Sequence, residues 1–323
     1  MMKISRFYHG GVMVNYRCNA ACRHCLYACS PKRRGGYVSS DAIKNIAQTL
    51  ARGRIGSVHI GGGEPFLDFD GLIAVVRGLA SAGVRLDYIE TNAFWAVGKE
   101  CGERLEILKS EGVEALCISI DPFHAEYVPW EYPLRLVASC EDAGLGCFLW
   151  KREFLRVLKN LDGGKRRSRA EIEAKLSSDY IEKTAAAYGI RFGGRAVNIE
   201  EEFGRSKPVQ DLLDGAPCDR LLSTDHFHAD MEGFFIPPGC TGIRLPLEET
   251  LTGLEKGRYP TFEALYTGGI AALYDLAIQH GFTANENGYP SKCNLCFHIR
   301  HYLSSRNFAE LDEDFYIQAL MCY

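Results

Sequence analysis

Three thiols stand close together in the run Cys18-Asn19-Ala20-Ala21-Cys22-Arg23-His24-Cys25. This CxxxCxxC spacing lets one tight loop fold onto a single small inorganic core. A structural zinc site takes four closed ligands, usually from paired CxxC elements. Three thiolates without a near fourth suit a 4Fe–4S cluster with one iron left open. Cys29 is the nearest candidate for a fourth ligand, but Cys-Ser-Pro places it where a helix would turn away. The plainer reading of the same spacing is a regulatory zinc or iron–sulfur knuckle.

A second group of residues lies at Gly61-Gly62-Gly63-Glu64-Pro65. Glycine lets a ligand approach the backbone, and Pro65 biases Glu64 towards an extended conformation. The Gly-Lys-Ser/Thr ending of a phosphate-binding loop is absent. Taken alone, the triplet is a turn. A third group is Cys218, Cys240, Cys293 and Cys296. Cys293-Asn294-Leu295-Cys296 is a CxxC, and Cys240 ends a run, Gly233 to Gly239, that reads as a hairpin strand closing on a metal knuckle. Four cysteines fit a closed zinc site as well as a cluster.

The elements that must position these groups alternate. Short apolar runs read as strands at Val12–Asn15, Ser57–Ile60, Arg85–Glu90, Ala115–Ile120 and Gly146–Trp150, with a sixth at Ile190–Phe192. Helical stretches fall between them at Ser40–Arg52 (with Ser39 or Ser40 as the cap), Leu72–Ala82, Arg104–Ser110, Leu134–Ala143 and Ser178–Tyr188. Strands separated by helices argue for βαβ units and a parallel sheet. About six such units fill residues 10 to 197; from Glu200 Pro and Gly become frequent and helices are scarce until Tyr266. The chain therefore divides into residues 1–205 and 206–323. Enzymes whose βαβ units close into a barrel build their sites at the carboxyl ends of the strands. Those ends carry Glu90-Thr91-Asn92, Ser119-Ile120-Asp121 with His124, Trp150-Lys151-Arg152 and Gly194-Arg195-Ala196.

Composition narrows the classes. The 323 residues carry 37 Lys and Arg against 41 Asp and Glu, a net charge of −4, so there is no overall basic field for nucleic acid. With 46% hydrophobic and 24% charged residues the chain is a folded globular one rather than a disordered one. No apolar run reaches the ~20 residues of a membrane span, and the amino terminus has no signal-peptide core. A cytoplasmic location with no membrane partner follows as an expectation. Thirteen cysteines is an odd number, and cytosolic thiols stay reduced, which argues against a disulfide framework. Cys101, Cys117, Cys140 and Cys147 fall in helices or strands and read as inert packing. The basic run Lys165-Arg166-Arg167 and the acidic run Glu200-Glu201-Glu202 read as solvated surface. Asp225-His226-Phe227-His228-Ala229-Asp230 has metal-ligand types, but its alternation also fits a half-exposed strand.

Taken in order, the CxxxCxxC loop and the GGE-containing loop one βα unit later resemble the radical S-adenosylmethionine (SAM) superfamily. The resemblance implies a partial (β/α)6 TIM-like barrel in an α/β fold. It implies a 4Fe–4S cluster on Cys18, Cys22 and Cys25, with SAM on its open iron. It also implies SAM contacts from Gly61, Gly62, Gly63, Glu64, Asn92, Ser119 and Asp121, with Arg152 and Arg195 as weaker candidates. One departure is His24, where an aromatic usually shields the cluster; imidazole is flat and can stack in its place. The second cysteine set resembles the small SPASM/twitch appendage, in which Cys218, Cys240, Cys293 and Cys296 would hold an auxiliary 4Fe–4S cluster. The glycine-to-cysteine spacing is longer than that pattern and a full seven-cysteine set is absent. Some superfamily epimerases keep a free thiol as a hydrogen donor, a role open to Cys218 or Cys322.

Similar enzymes with such an appendage mostly modify peptides. The expected function is reductive cleavage of SAM to a 5′-deoxyadenosyl radical and hydrogen abstraction from a peptide, in crosslinking or Cα epimerisation. The electron would come from a donor such as flavodoxin or ferredoxin. With only the residues before Cys18 at the front, no leader-binding winged-helix domain is expected there. The alternatives are radical oxidation or epimerisation of a small sugar or alcohol, and a non-enzymatic iron–sulfur sensor or scaffold.

Overall fold

The computed structural model describes all residues except 3, 5, 6, 223–225, 322 and 323. The chain forms two compact units. One comprises Gly10–Cys22 and Cys29–Gly189; the other comprises Met1–His9, Arg23–Ala28 and Ile190–Tyr323.

In the first unit strands and helices alternate. They run β1 (His9–Met13), α1 (Ser40–Arg52), β2 (Ser57–Gly61), α2 (Phe69–Ser81), β3 (Arg85–Thr91), α3 (Cys101–Ser110), β4 (Ala115–Ser119), α4 (Pro122–Ala125), α5 (Glu131–Ala143) and β5 (Gly146–Trp150). Three further helices follow, α6 (Leu155–Leu158), α7 (Arg169–Lys175) and α8 (Tyr180–Tyr188). The strands lie in the order β5-β4-β3-β2-β1, and β2–β3, β3–β4 and β4–β5 are parallel. Parallel strands need a crossover, and the intervening helices provide it. This is the expected α/β sheet of a partial TIM-like barrel. Every residue of β2 is buried, as befits a strand covered on both faces. The Ser39 hydroxyl accepts the Ala42 N–H and caps α1 where the sequence places the cap.

The differences from the sequence reading have local causes. The first strand is His9–Met13 rather than Val12–Asn15, because Asn15 leaves the ladder: its carbonyl and its Oδ1 each accept the Gly63 N–H at 2.9 Å. α2 begins at Phe69 because the Asp68 carboxylate accepts the Gly71 N–H. No helix forms between 14 and 39, and Cys29 is buried in that loop. Ile190–Phe192 is not a strand. Gly189 ends α8 in the left-handed conformation. Arg191 and Phe192 are both exposed, so neither face of the segment has a layer to pack on.

The second unit is richer in helix than its Pro and Gly content suggests. It contains α9 (Ala196–Phe203), α10 (Asp219–Leu222), the short antiparallel strands β6 (Phe227–Ala229), β7 (Phe234–Ile236) and β8 (Leu245–Pro246), then α11 (Leu247–Thr252), α12 (Pro260–Gln279), α13 (Lys292–Ser304) and α14 (Glu313–Leu320). Glu200 is not solvated: it sits on the inner face of α9 at 9% exposure. Glu201 is exposed and pairs with His298 at 2.5 Å. Phe227 and Ala229 point inward from β6 with His228 half-exposed, the alternation of a half-buried strand; Asp225 lies outside the described residues. Within α12 Gly269 has φ +62°, which breaks the helix. No helix among the described residues is long and apolar enough to cross a membrane.

Candidate functional site

In the first unit the polar residues at the strand ends meet one another. Glu64 follows β2 and is 1% exposed. Its carboxylate accepts three hydrogen bonds: from the Thr91 hydroxyl at 2.9 Å, the Asn92 backbone N–H at 2.8 Å and the Phe66 backbone N–H at 3.1 Å. Burial pushes the Glu64 pKa up to about 7, although these donors pull the other way. The Asn15 side chain donates to the Glu64 carbonyl at 3.0 Å. Gly63 is required at its position, since a Cβ there would stand 2.0 Å from the Arg17 carbonyl oxygen. The glycine loop is thus packed directly against the chain that leads into Cys18.

Cys18 and Cys22 are both nearly buried, at 7% exposure each. The Asn92 amide donates to Cys18 Sγ at 3.7 Å and to the Asn19 side chain at 2.8 Å. The Ala20 backbone N–H also reaches Cys18 Sγ at 3.3 Å. Cys22 pairs with the His124 ring, whose Nδ1 stands 2.6 Å from Asp121 Oδ2. Asp121 is 1% exposed and also caps α4, accepting the Phe123 and His124 N–H groups. Burial works against a charged imidazole, but Asp121 and Cys22 outweigh it and hold the His124 pKa well above its ordinary value. Ser119 closes β4 and is half-buried. The site therefore gathers Cys18, Cys22, Glu64, Asn92, Asp121 and His124. The sequence reading names Asn92 and Asp121 as contacts at these strand ends but gives no role to Thr91 or Asn15 and no pairing of Cys22 with His124. Arg152 is exposed at the start of the short 3-10 turn that follows β5.

Cys25 belongs to the second unit, with its half-buried neighbour His24. Its carbonyl oxygen accepts the Arg195 N–H at 3.0 Å and the Ala28 N–H at 3.3 Å. Gly194 has φ +54°, and a Cβ on it would stand 2.4 Å from the Cys25 carbonyl oxygen and 2.3 Å from that of Leu26. The Gly194-Arg195-Ala196 segment thus holds the Cys25 backbone. Arg195 itself is buried, at 3% exposure.

The second unit also brings Cys218, Cys240, Cys293 and Cys296 together. Cys218 hydrogen-bonds Cys240, which lowers the Cys218 pKa to about 6 and raises that of Cys240. Burial raises the Cys293 and Cys296 thiols, and the charge of Cys218 acts on both, that of Cys293 also on Cys296. Each thiol has a local reason for its place. The break at Gly269 lets residues 214–218 pair with α12: Ala271 N–H donates to Asp214 O at 3.1 Å and Cys218 N–H to Leu265 O at 2.9 Å. Gly239, at φ +73°, turns the chain after β7 into Cys240. Cys293 and Cys296 share one face of the first turns of α13, which the Ser291 hydroxyl caps.

Arg300 lies one turn further along that face, at 5% exposure. Its Nη1 donates to the Thr241 carbonyl and to the Tyr316 hydroxyl, both at 2.7 Å. Its Nε and the Thr241 hydroxyl are buried with no hydrogen-bond partner among the described residues. Four converging thiols with orphaned donors beside them fit a sulfur-rich anionic cluster.

Cys101, Cys117 and Cys140 are buried and Cys147 is half-buried. Burial pushes all four thiols up, which is the behaviour of inert packing. Cys322 lies outside the described residues.

A comparison by sequence agrees with the alternating α/β fold of the first unit. Residues 12–138 match the model of the Radical SAM superfamily. The chain carries a radical SAM domain. The matched segment includes Cys18, Cys22, Cys25 and the Gly61–Glu64 loop. Over 125 residues the chain is 30% identical to YydG of Bacillus subtilis (strain 168), whose name gives it a supposed role in peptide biosynthesis; this covers 38% of this chain and 39% of that protein. Over 120 residues it is 32% identical to the GTP 3′,8-cyclase of Listeria monocytogenes serotype 4b (strain CLIP80459), covering 36% of this chain and 34% of that enzyme. The chain thus spans less than two fifths of the length of these relatives. The solved structure "Native anSMEcpe with bound AdoMet" aligns over 97% of this chain and 94% of its own, at 13% identity and a TM-score of 0.45.

Proposed function

We propose that this chain cleaves SAM reductively and uses the resulting 5′-deoxyadenosyl radical to take a hydrogen atom from a peptide, in crosslinking or Cα epimerisation. The observation that carries the first half is the meeting of Cys18 and Cys22 with Asn92, Glu64 and His124 at the strand ends of a radical SAM domain. Cys18, Cys22 and Cys25 would hold a 4Fe–4S cluster. When bound, the cluster and SAM supply the electron and the radical.

The residues of the chain position and shield that chemistry. Asn92 orients Cys18 through its side chain while its backbone is fixed by Glu64. His124, held by Asp121, directs a ring N–H at the Cys22 sulfur. Such contacts set the orientation of a ligand and the electron density on it. Trp95 donates from Nε1 to the Thr91 hydroxyl at 3.0 Å and stacks on Phe66 with ring centres 4.2 Å apart, closing water out from beneath Glu64.

The peptide substrate is supported by the similarity to YydG, 30% identity over 125 residues. The GTP 3′,8-cyclases match over a comparable length and favour a second reading, a small non-peptide substrate. On either reading a flavodoxin or ferredoxin would deliver the electron. The test is anaerobic incubation of the reconstituted chain with SAM, dithionite and the product of a short neighbouring reading frame. The expected result is 5′-deoxyadenosine together with a mass change in the peptide. Deoxyadenosine without peptide modification, in the presence of an altered small molecule, would favour the second reading. Bound iron with no SAM cleavage would leave only a sensor or scaffold.

A further inference from the structure

We propose that Arg300, with the Thr241 hydroxyl beside it, is the charge-compensating donor pair of the auxiliary iron–sulfur cluster and raises its reduction potential. The proposal rests on the assignment of Cys218, Cys240, Cys293 and Cys296 as that cluster's ligands.

Four observations carry it. Arg300 follows Cys293 and Cys296 at helical spacing on α13, so its side chain shares their face. It is also anchored to the other half of the cysteine set, since Nη1 bonds the carbonyl of Thr241, the residue after Cys240. Arg300 is 5% exposed and pairs with no carboxylate among the described residues; the groups that act on its charge are Tyr316, Cys296 and Cys240. Finally, two donors next to these thiols, Arg300 Nε and Thr241 Oγ1, are buried with no hydrogen-bond partner among the described residues.

A buried cation without a paired anion costs several kcal/mol unless something nearby compensates it. Buried polar groups are satisfied in all but a few cases, and an exception needs a reason. Both conditions are met if an anionic cluster occupies the space between the thiols. The tuning follows from charge. Reduction adds an electron, so the reduced cluster is the more negative form. A fixed guanidinium stabilises that form more than the oxidised one, and hydrogen bonds to sulfur act in the same direction. Arg300 is a positioning residue here, acting through the cluster's electronics rather than on substrate. Arginine suits the place better than lysine because its planar fork holds Thr241 and Tyr316 while Nε remains free to point elsewhere.

The test uses the full-length chain in which Cys18, Cys22 and Cys25 are all changed to Ala, so that only the auxiliary site can hold a cluster. After anaerobic reconstitution, iron and zinc are counted and the cluster is titrated with dithionite under electron paramagnetic resonance. The expected result for Arg300→Gln is retained iron with the midpoint lowered by a tenfold or greater change in the oxidised-to-reduced ratio, 59 mV for a one-electron couple. Arg300→Lys should restore most of the shift, and Thr241→Val, which keeps the shape and removes the hydroxyl, should lower the midpoint by less. An Arg300→Gln midpoint equal to the parent's, or equal shifts in the Gln and Lys variants, overturns the proposal. If Arg300→Gln holds no iron, Thr241→Val decides: an unmoved midpoint there overturns it. Zinc or no metal in the triple-Ala parent defeats the four-cysteine assignment itself, an outcome separate from any change in midpoint.

Discussion

The Glu64 carboxylate accepts the backbone N–H of Asn92 at 2.8 Å and thereby ties the loop after β2 to the end of β3 in the interior of the first unit. Because the Asn92 side chain in turn reaches Cys18, the tie bears on the first thiol of the triplet. A glutamate in this position is thus structural as well as available to a ligand. Three donors converge on it.

Glu64→Ala should therefore destabilise the chain. It leaves the Asn92 and Phe66 N–H groups without their side-chain acceptor, and each buried orphan costs about 1–3 kcal/mol. The expected loss is about 2–4 kcal/mol in urea unfolding of the full chain, with Glu64→Gln falling between parent and Ala because one carbonyl oxygen remains. An Ala variant within about 0.5 kcal/mol of the parent, the range of neutral surface changes, would show that the three bonds do not hold the loop.

His59 gives a pH dependence. It lies on β2 at 2% exposure and stacks on the Tyr88 ring, centres 4.9 Å apart. Burial lowers its pKa from 6.5 to about 4, although the Gly10 backbone and Asp87 favour the charged ring. Between those values the unfolded chain binds a proton that the folded chain refuses. His59 therefore contributes its full stability above about pH 6.5 and loses it as the pH falls through about 4, on the order of 3 kcal/mol in all. Unfolding of the parent and of His59→Gln, compared at several pH values, should show the gap between them narrowing on acidification. A constant gap would mean that the folded chain leaves the ring's pKa where the unfolded chain has it, so that burial does not exclude the proton.

The cysteine spacing, the glycine triplet and five of the strands are legible because each is written in consecutive residues. The Glu64–Asn92 bond and the pairing of Cys22 with His124 join strand ends far apart in sequence, and no local pattern records such a meeting. Ile190–Phe192 misleads in the opposite way: its residue types are those of a strand, but with Arg191 and Phe192 both exposed nothing covers it. Glu200 looks like part of a charged surface run, yet its place on α9 turns it inward while Glu201 faces His298. Arg300 was within reach, since it follows Cys293 and Cys296 at intervals of seven and four on a helical stretch.

Metal content separates the two thiol sets. Reconstitution of the parent should give about eight irons per chain, two clusters of four. Changing Cys18, Cys22 and Cys25 to Ala should leave about four and abolish 5′-deoxyadenosine formation. Changing Cys293 and Cys296 to Ala instead should also leave about four, with deoxyadenosine formation still measurable. Full iron content in either variant would remove those residues from the ligand set.

Gly194 offers a backbone test of the Cys25 loop that leaves every thiol in place. At φ +54° a side chain costs about 1–2 kcal/mol for the left-handed conformation alone. At Gly194 a Cβ also meets the carbonyl oxygens of Leu26 and Cys25 at 2.3 and 2.4 Å, and both are backbone atoms that cannot rotate aside. Relief requires the Cys25 carbonyl to move, and the Arg195 N–H that bonds it moves too. Gly189 is the control: it has φ +68°, but a Cβ there meets nothing within 4 Å. Gly189→Ala should thus lose only the conformational ~1 kcal/mol and keep its full iron. Gly194→Ala should keep its far-ultraviolet circular dichroism but lose the iron bound by Cys18, Cys22 and Cys25, about half the total. Equal iron in the two variants would mean that the position of the Cys25 backbone is not what holds that cluster.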